Sequence, residues 1–254
     1  MKIFKTIKRF FSKILGINNQ SNQTNSVTTK KYALVFEGIG EEFMTAVKRD
    51  SNWNKRAGLD PIEIHGEKTG DFYRFMCMKT DDSDVYRTAA VITKERYGDG
   101  KFECEARFNS AEGTWPAIWI STRDSRNNFK DYYELDLSEY YNTSSYTETT
   151  YHMPESMRDS SKRIKVVKTD IKPTEWNKFA ASWDEEALRV FINDKQVFEF
   201  KNNGNGDQFP LLAEQRKLYI ILSMQYETAK ASSINVDDLP RWMDIRNIKY
   251  YKQI

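Results

Sequence analysis

Residues 132–139 read Tyr-Tyr-Glu-Leu-Asp-Leu-Ser-Glu. Successive side chains along a strand point to opposite faces. Tyr132, Glu134 and Asp136 therefore share one face, while Leu135 and Leu137 take the other and face a core. Glu139 stands three positions beyond Asp136, so a regular strand turns it away from the acidic face. One bulge near Leu137–Ser138 brings it back, and bulges are common beside active sites.

Working outward, the chain from Tyr32 onward is a series of short strand-like runs separated by turn residues. The runs are 32–36, 72–78, 87–93, 101–108, 115–121, 132–138, 146–152, 163–169, 177–183, 187–193, 195–200, 217–225 and 243–251. Many short strands at regular spacing predict an all-β sandwich or barrel. Turns are expected at 97–100 (Tyr-Gly-Asp-Gly), at Asn193-Asp194 and at 202–206 (Asn-Asn-Gly-Asn-Gly). One short helix is expected over 207–215, and no internal repeat is visible.

Among 254 residues there are fifteen Phe, fourteen Tyr and six Trp. Each aromatic buries a large area, so a sizeable core is available with rings to spare for a binding surface. The net charge of +2 hides an asymmetry. Residues 1–31 hold seven Lys or Arg and no acid, and without them the 37 acids outnumber the remaining bases. A mildly acidic body argues against a nucleic-acid partner. Two cysteines, Cys77 and Cys104, with no CxxC or Cys/His cluster, make neither a disulfide framework nor a zinc site. They read as buried small apolar residues or as a single bridge, and leave the redox compartment open.

No run of 18 apolar residues occurs, so no membrane span is expected. Residues 1–16 instead pattern as a basic amphipathic helix, with Ile3, Phe4, Ile7, Phe10, Phe11, Ile14 and Leu15 on one face and Lys2, Lys5, Lys8, Arg9 and Lys13 on the other. Such a helix suits docking to a membrane surface or a particle; the plainer reading is a weakly ordered tail. Lys13 interrupts the apolar segment a signal peptide needs. Residues 17–31 are polar and read as a linker, which leaves 32–254 as the folded domain.

Three carboxylates on one sheet face repel one another, so their clustering wants a functional reason. Glycosidases use a pair of carboxyl groups, about 5–5.5 Å apart when the reaction retains anomeric configuration and about 6.5–9.5 Å apart when it inverts. Spacing in sequence does not measure that gap, and a solvated acidic strand face is the plain alternative.

The surrounding motifs resemble glycoside hydrolase family 16. Glu134-Leu135-Asp136-Leu137-Ser138-Glu139 is similar to the family's E-x-D-x-x-E strand in its bulged form. Upstream, residues 97–107 (YGDGKFECEAR) are similar to its YG-x-[FY]-E-x-R strand with extra residues after the first Gly. Residues 113–119 (GTWPAIW) are similar to its G-x-WPA-x-W segment. Downstream, 176–197 resembles a hairpin of the family and 243–251 its closing strand. The resemblance covers roughly 32–254.

It implies a two-sheet antiparallel jelly roll with a concave substrate cleft. It implies a retaining, endo-type enzyme on a β-linked polysaccharide, with Glu134 as nucleophile, Glu139 as acid/base and Asp136 supporting them. By the same resemblance Trp119 and Tyr132 stack on sugar rings and His152 faces the cleft. Trp115 shares the parity of Trp119 and extends the same face. Trp115, Trp119 and His152 each also read as core residues. No cofactor or metal ligand is implied, although a structural calcium ion would not be readable from sequence. Action outside the cell or at its surface is expected, without a clear signal peptide. Two departures weaken a β-1,3-glucan assignment: Val91 stands where many such enzymes have Arg, and Leu222-Ser223 where the family often has Leu-Asn. A transglycosylase with the same carboxylates, a non-catalytic sugar-binding sandwich and a structural module on a larger particle remain as alternatives.

If the linker isolates the N-terminal segment, deleting residues 1–31 leaves the melting temperature and the activity on soluble oligosaccharides unchanged, and reduces binding to anionic vesicles. Unfolding on truncation would place the segment in the core.

Overall fold

The computed structural model describes residues 30–45, 67–69, 71–79, 86–122, 132–159, 165–226 and 234–254. The helix expected over 1–16 and the linker up to residue 29 lie outside them. Lys31–Ile254 forms one compact unit.

The strands, in chain order, are β1 (Tyr32–Glu37), β2 (Phe43–Thr45), β3 (Glu67–Thr69), β4 (Phe72–Lys79), β5 (Tyr86–Arg87), β6 (Ala89–Thr93), β7 (Gly100–Asn109) and β8 (Thr114–Ser121). They continue as β9 (Glu134–Glu139), β10 (Tyr146–His152), β11 (Lys165–Asp170), β12 (Asn177–Trp183), β13 (Ala187–Ile192), β14 (Lys195–Lys201), β15 (Tyr219–Tyr226) and β16 (Arg241–Gln253); the described residues also hold a short α-helix α1 (Pro154–Arg158) and a 3-10 turn (Val236–Asp238). One sheet runs β14-β13-β12-β7-β16-β4-β3, with β1 paired to β16 and β5 to β4; the other runs β11-β10-β9-β8-β15-β6-β2. The ladders are antiparallel throughout, as in an all-β jelly-roll sandwich.

Alternation builds the layers. In β7, Phe102, Cys104, Ala106 and Phe108 are buried while Lys101, Glu103, Glu105 and Arg107 are not. The inward residues meet Ile118, Ile120, Leu135, Leu137, Ile220 and Leu222 of the other sheet in a single inter-sheet core. Trp183 is fully buried there, and its Nε1 donates to the Arg216 carbonyl at 3.1 Å. Both cysteines are free and buried. They sit on β4 and β7, which β16 separates, so about 10 Å of sheet lies between them, beyond the reach of a disulfide.

Two sequence expectations need correction, and two strands went unread. Residues 207–215 form turns rather than a helix; Pro210 lacks the N–H that a helix interior uses. The run 87–93 is two pieces, because β5 pairs with β4 while β6 pairs with β15. The short strands β2 and β3 carry too few residues to show a period. The expected turn at Asn193-Asp194 holds: both have positive φ, 50° and 64°, as the tight two-residue hairpin between β13 and β14 requires.

The expected bulge is present. Glu139 pairs with Glu148 and Asp136 with Thr150, so Leu137 and Ser138 stand opposite the single residue Thr149. Toward β8 the register slips at the same place. A bulge leaves backbone groups without ladder partners; here the Thr149 hydroxyl donates to the Leu137 carbonyl at 3.0 Å, and the Thr147 hydroxyl to the Glu139 carbonyl at 3.1 Å. Leu137 itself is fully buried. Leu137→Ala should therefore cost about 2–5 kcal/mol, read as a lower urea midpoint; a cost under about 1 kcal/mol would mean that the core does not anchor the bulge.

Candidate active site

Five strands bring the site together as rows across the outer face of the seven-stranded sheet. One row runs Glu148, Glu139, Ala117, Ser223, Ala90 across β10, β9, β8, β15 and β6. The next runs Thr150, Asp136, Trp119, Ile221, Ile92. A third holds His152, Glu134, Ser121 and Tyr219. The bulge makes these rows consistent: from Glu134 to Glu139, β9 advances five residues while β10 moves four, from His152 to Glu148. Four is even, so Glu134, Asp136 and Glu139 share a face.

His152 lies with them. Its Nε2 is 3.2 Å from Asp136 Oδ2 and 3.9 Å from Glu134 Oε1. Glu139 is 7% exposed and is engaged at both oxygens: Tyr141 Oη donates to Oε1 at 2.7 Å and Thr150 Oγ1 to Oε2 at 2.7 Å. Trp119 is 7% exposed and packs with Ala90, Ile92, Ala117, Tyr219 and Ile221 in a second apolar cluster, apart from the inter-sheet core, with Trp115 against it. Trp119 Nε1 donates to Ser223 Oγ at 3.3 Å. Trp115 is half-buried and stacks on Tyr141, ring centroids 5.2 Å apart. Tyr132 is buried just before β9 with the parity of Glu134, whereas Tyr133 belongs to the core. Val91 is fully buried in the inter-sheet core, so its position does not open on this face.

Sequence reasoning missed Tyr141, Thr150 and Ser223. Thr150 was within reach, since it shares the parity of His152 along β10. Tyr141 lies past the end of β9, where alternation no longer tells direction.

The electrostatics follow from crowding negative charge away from water. Burial pushes the Asp136 carboxyl well above the usual range; the Glu139 and Glu134 charges add to this, and the His152 contact only partly offsets it. Burial alone would lower the His152 pKa, but the Asp136 contact and the surrounding carboxylates outweigh it and raise it to about 9. Both shifts mean that the folded site holds a proton at neutral pH. Oxygen and nitrogen donors of Glu134, Asp136 and His152 lie within 4.8 Å of one another, close enough to bridge a cation. A protonated imidazole cannot ligate, so at neutral pH this group is better suited to sharing a proton.

The model of the glycosyl hydrolases family 16 matches residues 47–237. The chain belongs to that family. Among curated relatives, this family 16 chain is 29% identical over 129 residues to a beta-glucanase of Rhodothermus marinus, covering 46% of the chain and 43% of the relative. It is 23% identical over 157 residues to a keratan-sulfate endo-1,4-beta-galactosidase of Sphingobacterium multivorum, covering 60% of the chain and 36% of that protein. The match thus spans less than half the length of either relative. The laminarinase structure from Rhodothermus marinus shares the fold, with a TM-score of 0.72 at 18% identity over 89% of this chain and 99% of that one.

The proton stored by His152 fixes a sign for stability. A His with its folded pKa raised stabilises fully below its unfolded value of about 6.5, and that stability is lost as pH rises toward about 9. Asp136, raised as well, works in the same direction, because the folded state binds more protons. Wild type should lose on the order of 3 kcal/mol between those pH values. His152→Gln should flatten this slope in urea titrations at pH 6, 7.5 and 9; an unchanged slope would refute the assignment.

Proposed function

We propose that the chain is an endo-acting hydrolase of a β-linked polysaccharide that retains anomeric configuration, with Glu134 as nucleophile and Glu139 as acid/base. The observation that carries this reading is the bulge, which sets both glutamates on one sheet face with Asp136 and His152 beside them. The substrate class is supported by the names of the relatives, a beta-glucanase and a keratan-sulfate endo-1,4-beta-galactosidase, which share the β linkage rather than the sugar.

The placement supports a double displacement. Glu134 attacks the anomeric carbon while Glu139 passes its proton to the departing glycosidic oxygen, which leaves a covalent glycosyl-enzyme. Glu139, now ionised, takes a proton from water as the water attacks the same carbon and displaces the Glu134 carboxylate. Two inversions return the original configuration. Asp136 stands between the glutamates; with His152 protonated beside it, its own charge is balanced and does not oppose the charge Glu134 must carry. The half-buried Trp115 ring, packed against the cluster that buries Trp119, offers an apolar face for a pyranose.

Glu134→Ala should abolish turnover, with azide restoring reaction and yielding a glycosyl azide of inverted configuration. Glu139→Ala should slow hydrolysis of the polysaccharide about 10²–10⁴-fold while sparing an aryl glycoside whose leaving group needs no proton. Proton NMR of the first sugar released by wild type checks the pathway: an inverted first product would overturn the double displacement.

A further inference from the structure

Each oxygen of the Glu139 carboxylate accepts one hydroxyl, from Tyr141 and from Thr150. A carboxylate oxygen has two lone pairs, so one on each oxygen stays available to substrate. The donors come from different elements. Thr150 lies in β10 opposite Asp136 and is 4% exposed.

Tyr141 lies just beyond β9, where the chain is stapled to the start of β8. The Tyr140 N–H donates to the Pro116 carbonyl at 3.0 Å, and the Asn142 side chain accepts from the Gly113 N–H at 2.9 Å. Asn142 takes φ 57°, a left-handed conformation that Asn tolerates better than most residues. The Tyr141 ring lies on Trp115 with planes 26° apart. The phenol is thereby held by its backbone, its ring and its hydroxyl. Burial first, then the charge of Glu139, push its pKa upward, so it remains a donor at any working pH and does not itself move a proton.

We propose that Tyr141, assisted by Thr150, is the positioning residue of Glu139: the two hydroxyls fix the plane of its carboxyl group and stabilise the negative charge that grows on it as the glycosidic oxygen leaves. The inference rests on the hydrolase reading of Glu139. Hydrogen bonds to a charged carboxylate favour that form, so these two strengthen as the proton departs, and only interactions that strengthen toward the transition state accelerate a reaction. The transferred proton moves from Glu139 to the leaving oxygen, and later from water back to Glu139. The O–H bonds of Tyr141 and Thr150 stay intact throughout.

Tyr141→Phe keeps the ring and its stack on Trp115 and removes only the donor. On polysaccharide, kcat should fall about 10- to 100-fold, the range for one charge-assisted hydrogen bond, with KM nearly unchanged and the alkaline limb of the pH–rate profile moved to higher pH. An aryl glycoside with a good leaving group should lose far less in its glycosylation step. Thr150→Val should act in the same direction and Thr150→Ser should restore the rate. A Tyr141→Phe enzyme with wild-type kcat and pH profile would overturn the proposal, as would an equal loss on both substrates with a lowered melting temperature. Glu139→Gln in the same assay separates the two levels. Wild-type turnover of polysaccharide by that variant would sink the acid/base role of Glu139 on which the inference rests, whereas its collapse beside an unaffected Tyr141→Phe would sink only the positioning role.

Discussion

Between Glu134 and Glu139, β9 takes five steps where β10 takes four. The surplus residue lets two apolar side chains, Leu135 and Leu137, stay in the inter-sheet core while three acids stay outside it. A regular strand cannot meet both requirements at once. A regular strand that kept both leucines inside would turn Glu139 inward, where an ionised carboxylate costs several kcal/mol. The bulge is therefore held by the core on one side and by threonine hydroxyls on the other, and it orders the rows of residues around it. Asp136 falls opposite Trp119, Glu139 opposite Ala117, and His152 opposite Glu134.

Gathering three carboxylates creates an electrostatic load that the neighbours relieve in two ways. On the Glu134 and Asp136 side the relief is a cation, the imidazolium of His152. On the Glu139 side it is neutral donors, Tyr141 and Thr150. On the proposed roles of Glu134 and Glu139, the division suits two kinds of work. A nucleophile must stay ionised beside other charge, and a nearby cation helps it. A group that gains and loses a proton must pass through both states, and a fixed cation beside it would hold it in one. Hydroxyls bias the ionised state more gently and leave the neutral state accessible.

Much of this was legible in the chain because it depends on local periods. Strand-like runs such as 101–108 and 177–183 placed strands, alternation along 132–138 placed its faces, and the three-residue gap from Asp136 to Glu139 located the bulge. Of the two readings of the cysteines, buried small apolar residues or a single bridge, the first is the one the fold takes. What sequence did not supply was contact between elements. The Tyr141 hydroxyl reaches Glu139 only because the turn after β9 is tied to the start of β8, and nothing in the order of residues states that closure. The same limit explains β2 and β3, each three residues long, whose pairing comes from the sheet rather than from their own pattern. At 207–215 a helical reading fails for a local reason, Pro210, and the segment forms turns.

The isolation of Cys77 and Cys104 has a consequence for where such a domain can work. Burial pushes the Cys77 thiol up to about 12 and the Cys104 thiol higher still, so neither forms the thiolate that reacts with oxidants or disulfides. With β16 standing between their strands, they cannot pair with each other either. The sandwich is held by packing and hydrogen bonds with no covalent cross-link, and its native state holds no disulfide to reduce. A reducing medium should therefore leave its melting temperature where it was.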